Sequence, residues 1–223
     1  MTVTVETEFG AGPAEPYERA LRSATPTLTL RDVAEPDGQT SLDLARFLSG
    51  PSAHELRMLR TCPGPVLDVG CGPGRMLDAA LRCGHAALGV DVSEASVALA
   101  RERGLPARRR SVFSALPDEG RWGTVLLMDG NIGIGGDPPR LLARCAALLA
   151  PGGVLLIETH PHDTRDRRFH AVLVDAAGAT SLPFPWAEIG ARALRSAAGE
   201  AGLALQREWR SDGRAFARYV RVA

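Results

Sequence analysis

The chain contains no lysine: all 26 of its basic residues are arginine. It therefore cannot form a Schiff base with a carbonyl substrate or offer a side-chain amine as nucleophile. It has no net charge either, since 26 acidic residues balance the arginines. That removes any bulk attraction to nucleic acid or to an anionic membrane surface. No apolar run reaches the roughly 18 residues that read as a membrane span. The start, MTVTVETEFGAGPAEP, lacks the basic and apolar segments of a secretory signal. The four cysteines, at 62, 71, 83 and 145, form no C-x-x-C pair. A chain of 223 residues buries enough apolar surface to do without disulfide staples. Reduced thiols and a cytoplasmic location are the expectation. Aromatic residues make up only 5%, so Tyr17, Phe47, Phe184 and Trp186 are conspicuous.

What is present changes character near residue 62. Before it, YERALRSA, TSLDLARFLSG and PSAHELRMLRTC read as short helices. Residues 1–61 are thus expected to form a mobile N-terminus and a helical cap or lid, and residues 62–223 the main domain. From Pro65 onward, short apolar strands alternate with helices. PVLDVG, AALGVD, ARRRSVF, TVLLMD and VLLIETH are the strands. RMLDAALRCG, SEASVALARERG and PPRLLARCAALLA are the helices, the second capped by Ser93 and ended by Gly104. FHAVLVDAAGATSLPF reads as a small hairpin insertion and WAEIGARALRSAAGEAG as the helix after it. LALQREWRS and RAFARYVRV, joined across Asp212-Gly213, form a closing antiparallel pair. This alternation predicts an α/β fold with a parallel sheet covered on both faces.

In PVLDVGCGPGRM, Gly70, Gly72 and Gly74 follow directly on the first strand of that series. A glycine turn there lets the backbone approach a ligand with no Cβ in the way, beyond the carboxyl ends of the strands. Asp91 ends the second strand 21 residues after Gly70, the separation expected of an acid that holds a ribose diol. Dinucleotide sites favour G-x-G-x-x-G around a pyrophosphate. The spacing here is G-x-G-x-G, with Asp68 two residues upstream. A carboxylate at that place repels a pyrophosphate and attracts an ammonium, so a ligand with an amino-acid end and an adenosine end fits better than NAD.

VLDVGCGPG, ALGVDVS, SVFSALP, TVLLMDGNIGIGGD and LLAPGGVLLIE, in that order, resemble the class I, Rossmann-like S-adenosylmethionine-dependent methyltransferases over roughly residues 62–223. The resemblance implies a three-layer, doubly wound, mostly parallel seven-stranded sheet with an antiparallel last strand. It implies S-adenosyl-L-methionine as cofactor. Asp68, Gly70, Cys71, Gly72 and Gly74 would surround its methionine part, and Asp91 would take the ribose hydroxyls. Val92, Val112 and Phe113 would flank the adenine, and Met128, Asp129 and Gly130 would lie beside the sulfonium. The chain departs from the family pattern at Ser111, where an acid often meets the adenine amino group.

Methyl transfer needs alignment and, for a hydroxyl or ammonium acceptor, removal of a proton. His160, next to the fifth strand, is the expected general base, with Asp129 as the second candidate. Tyr17, Asn131, His162 and Trp186 are expected at the substrate. The HPHD run around Pro161 also carries metal-ligand types, but three donors on one short loop rarely converge on one ion, so no metal is expected. TVLLMDGN lacks the prolines and aromatic of base-amino methyltransferases. The expected acceptor is therefore a small molecule, of the kind met in secondary metabolism, with neither nucleic acid nor membrane as partner. Two other readings stay open: a decarboxylase- or cyclase-like enzyme on the same cofactor fold, and a non-catalytic cofactor-binding subunit.

Overall fold

A computed structural model describes residues 7–23, 27–35 and 38–222. The chain enters through α1 (Pro16–Leu21), β1 (Leu28–Asp32), β2 (Gln39–Leu42), α2 (Leu44–Leu48) and α3 (Ala53–Arg60). The alternating series follows: β3 (Val66–Val69), α4 (Arg75–Arg82), β4 (Ala87–Asp91), α5 (Glu94–Glu102), β5 (Ala107–Arg109) and β6 (Trp122–Leu127). After a 3-10 turn over Asn131–Gly136 come α6 (Pro138–Leu148), β7 (Leu149–Thr159), β8 (Asp166–Asp175), β9 (Phe184–Ile189), α7 (Ala191–Glu200), β10 (Leu203–Ser211) and β11 (Arg214–Arg221).

Seven strands form one sheet in the order β10-β11-β7-β6-β3-β4-β5. β3, β4, β5, β6 and β7 pair in parallel, and β11 lies antiparallel between β7 and β10. Every residue of β3 and β6 is buried, as strands covered on both faces require. The order reverses on either side of β3, so its carboxyl end opens the crevice where such sheets hold ligands. Helix starts follow local chemistry. The Ser93 side chain accepts the Ser96 N–H, and Ser52 and Glu55 form a reciprocal capping box at α3.

The N-terminal region differs from the all-helical cap expected of it. β1 and β2 join β8 and β9 in a second, antiparallel sheet of order β2-β1-β8-β9. Leu28 and Leu30 alternate with half-exposed neighbours, a period-2 signal only five residues long. The expected helix over TSLDLARFLSG begins as strand β2, and the helix expected from Trp186 begins only at Ala191. The hairpin and the cap therefore share one roof over the crevice. Its core gathers Tyr17, Leu21, Leu28, Leu173, Phe184 and Trp186. The expected mobile N-terminus falls partly on residues 1–6, outside the described residues. Phe9 is placed, with its ring 5.2 Å from Tyr17. Among the described residues, no helix is long and apolar enough to cross a membrane.

Candidate cofactor and acceptor site

The glycines of the turn serve in two ways. Gly70, Gly72 and Gly74 all take positive φ, at 68, 52 and 93°. A Cβ on Gly70 would lie 2.6 Å from Asn131 Nδ2, and one on Gly74 would lie 2.4 Å from Leu105 Cδ1. Those two glycines admit neighbouring side chains. At Gly72 the nearest group is the Tyr17 hydroxyl, 3.7 Å from such a Cβ, so this is where backbone faces the open crevice.

Asp91 fixes the turn from the next strand. Its Oδ2 accepts the Gly72 N–H at 2.8 Å and its Oδ1 accepts the Ser93 N–H at 2.8 Å. Each oxygen keeps a further lone pair for a ribose hydroxyl. Asn131 was expected at the substrate, but its Nδ2 donates to the carbonyls of Val69 and Gly70, both at 2.9 Å. Its amide thus ties the end of β6 to the turn, a positioning role.

A cavity of about 430 Å³ runs from this turn to the roof. Asp68, Cys71, Val92, Val112, Phe113, Met128 and Gly130 all line it. Asp68 is 2% exposed, and its Oδ2 has no hydrogen-bond partner. Burial, with Asp129 and Asp91 nearby, pushes its carboxyl up to about 8. An unpaired buried acid at the mouth of a glycine turn calls for a cation, and the ammonium of an amino-acid ligand supplies one. The residues present therefore fit S-adenosylmethionine. Among the described residues, no group of three or more His, Cys, Asp or Glu side chains is arranged to hold a metal ion.

Beside Asp68 lies an ion cluster that the sequence did not reveal. Arg75 bonds Glu55 and Asp129. Arg214 donates through Nε to Glu158 at 2.7 Å, and reaches Glu55 at 3.0 Å and Asp129 at 3.2 Å. Arg46 of α2 reaches Asp129 at 3.1 Å, and Glu158 accepts the Asp129 N–H at 2.7 Å. Asp129 sits at φ 55°, held by three guanidinium groups. Both oxygens of Asp129, the second candidate base, are thus engaged by guanidinium groups. The one signal in the sequence was Glu55 on the apolar face of its helix, where it is 1% exposed.

His160 lines the cavity, and its N–H bonds Ile189 O at 2.8 Å. Its Nδ1 accepts the backbone N–H of His162 at 3.1 Å. A backbone N–H only donates, so the neutral ring carries its proton on Nε2. Burial, the largest influence, lowers its pKa below the ordinary histidine value. With Nδ1 so occupied, the neutral ring keeps an N–H rather than a lone pair free. The His162 side chain is exposed and takes no part in the cavity wall, contrary to its expected substrate contact. The chain bends at Pro161 and turns it outward. Tyr17 and Trp186 do line the cavity, and so does Phe9, which sequence reasoning missed. Phe9 stands 5.0 Å from Phe184 and 5.5 Å from Trp186, ring centre to ring centre.

A doubly wound sheet with a reversed last strand, a G-x-G-x-G turn, a buried acid beside it and a second acid ending the next strand make up the pattern of the class I S-adenosylmethionine-dependent methyltransferases. Residues 43–208 match a family model described as a methyltransferase domain. The chain belongs to that methyltransferase family, and S-adenosylmethionine is its cofactor. It is similar to a ubiquinone biosynthesis O-methyltransferase of Bordetella avium, 34% identical over 42% of this chain and 42% of that one. It is 33% identical to a trans-aconitate 2-methyltransferase of Paracidovorax citrulli over 60% of this chain and 52% of that one. The chain thus matches about half the length of these relatives. The fold is that of a Bacteroides fragilis S-adenosylmethionine-dependent methyltransferase solved with S-adenosyl-L-homocysteine. That match has a TM-score of 0.76 and 21% identity, covering 96% of this chain and 98% of the other.

Proposed function

We propose that the protein is a cytoplasmic enzyme that methylates a hydroxyl oxygen of a small molecule, of the kind met in secondary metabolism. The observation that carries this reading is one cavity lined both by Asp68, whose buried Oδ2 has no partner, and by His160, whose Nδ1 is taken by the His162 N–H. The bound cofactor supplies a methyl carbon activated by a sulfonium. Asp68 and Asp91 hold its two ends, and the roof from β1, β8 and β9 keeps water from the crevice. His160 donates from Nε2 to the acceptor oxygen and so points a lone pair at the methyl. The hydroxyl proton passes to solvent. The name of the ubiquinone biosynthesis relative, an O-methyltransferase, supports an oxygen acceptor, and that of the trans-aconitate relative a small molecule.

With methyl-labelled S-adenosylmethionine and an accepted substrate, the label should appear in the acceptor. Cofactor consumed without labelled product would favour the decarboxylase- or cyclase-like reading. At saturating cofactor, kcat of the wild type should stay flat from about pH 5.5 to 7.5, because neutral and protonated imidazole both donate. His160→Ala should cost about tenfold in kcat/KM, or ~1.4 kcal/mol for one hydrogen bond. His160→Gln, which keeps an N–H, should recover part of that loss. An acid limb of unit slope, together with a loss of about 100-fold or more in the Gln variant, would restore His160 as the general base.

A further inference from the structure

Residues 7–12 lead into α1 as a strap along the cavity, and Thr7, Glu8 and Phe9 line it. The contacts of the strap fix its path. The Phe9 ring packs on Tyr17, Phe184 and Trp186, and Ala11 O accepts the Leu182 N–H at 2.8 Å. Gly10 passes beside Tyr17, where a Cβ would lie 3.4 Å from the Tyr17 Cβ. Tyr17 in turn carries its hydroxyl to Gly72, whose N–H is held by Asp91. Glu8, next to Phe9, is thereby brought toward Asp91. Burial raises the Asp91 carboxyl above the ordinary carboxylate range, and the Glu8 charge adds to that rise.

Glu8 is exposed, and among the described residues its side chain has no cation and no hydrogen-bond donor. The other acids of the cavity wall have partners or a role. Asp129 and Glu158 belong to the arginine cluster, and Glu188 is paired with Arg165. Asp68 and Asp91 face the two ends of the cofactor. An ionised carboxylate only accepts hydrogen bonds, so Glu8 asks for a donor. The adenosine half of the cofactor has the ribose hydroxyls, which the two oxygens of Asp91 serve, and the adenine amino group.

The segment beside Asp91 offers that amino group no acid. It is tied there by the Arg110 N–H, which donates to Asp91 O at 2.9 Å. Ser111 Oγ already accepts the Phe113 N–H at 3.3 Å. Arg110 and Arg140, which also line the cavity, carry guanidinium groups that only donate. Resting on the cofactor assignment above, we infer that Glu8 is the acid for the adenine amino group of S-adenosylmethionine, brought to it by the strap.

The test is calorimetry on the full chain with S-adenosylhomocysteine and its 6-deamino analogue, in which purine replaces adenine. The wild type should bind S-adenosylhomocysteine about tenfold more tightly than the analogue. Glu8→Ala should weaken S-adenosylhomocysteine about tenfold and leave the analogue within about twofold, which closes the gap. Glu8→Gln keeps an oxygen acceptor and should fall between. Urea unfolding of both ligand-free variants should match the wild type, since Glu8 is exposed. A Glu8→Ala variant that binds S-adenosylhomocysteine as the wild type does, or weakens both ligands alike, would overturn the inference. So would a gap that closes for the 2′-deoxy analogue instead, because Glu8 would then hold the ribose. Failure of the wild type to bind S-adenosylhomocysteine at all would strike the cofactor reading itself.

Discussion

Asp91→Ala should weaken S-adenosylhomocysteine binding by about 2 to 4 kcal/mol, roughly 30- to 800-fold. The ribose loses a charged acceptor for both hydroxyls at a site where water cannot fully replace it. The same change frees two donors of the fold, since Asp91 also accepts the Gly72 and Ser93 N–H groups. A loss of ~1 kcal/mol in stability, the usual worth of such a capping bond, should accompany the loss of affinity. Asp91→Asn keeps one oxygen acceptor and should fall between the wild type and Ala. Calorimetry reads the affinity and a denaturant melt the stability. An unchanged dissociation constant in the Ala variant would remove Asp91 from the ribose.

Arg75→Met should cost about 3 to 5 kcal/mol of folding stability, because it strands buried carboxylates. The side chain of Arg75 is 3% exposed and that of Glu55 2%, so solvent screens neither. Arg214 still reaches Glu55, which places the expected loss at the lower end of that range. Adding Glu55→Gln removes the stranded charge and should recover at least half of the loss. Urea unfolding of the two single variants and the double variant closes the cycle. A single Arg75→Met variant within 1 kcal/mol of wild type would mean the cluster contributes little. Asp129 would then need another reason for its positive φ.

The cofactor half of the site was legible because it is local. Three glycines, Asp68 and Asp91 lie within 24 residues, and strand, turn and helix alternate around them in a readable period. The acceptor half comes from distant pieces. β1 shows only two alternating leucines, and its partner β8 lies more than a hundred residues later. β9 runs on into the helix formers ARALRSAAGE, so the strand and the helix merged into one apparent helix. The break is Gly190, where a Cβ would sit 2.2 Å from His162 O, a contact no sequence pattern displays. Asp129 and Asn131 do line the cavity, but their bonding partners could not be read from the sequence. Their side chains are claimed by Arg46, Arg75 and Arg214 and by the Val69 and Gly70 carbonyls, from elements that only folding brings together.

Titration of the full chain with S-adenosylhomocysteine, and in parallel with NAD, tests the central claim most directly when it is run at several pH values and in buffers of different ionisation heat. Asp68 has its carboxyl pushed up to about 8, so it is mostly protonated in the free protein at pH 7. Pairing with the ligand's ammonium requires the carboxylate, so binding should release close to one proton at pH 7. Affinity should rise by up to about tenfold per pH unit from pH 6 and level off near pH 8. Asp68→Asn should bind more weakly and abolish both the proton release and the slope. NAD should give no binding heat. Binding of NAD with none of S-adenosylhomocysteine would contradict the account.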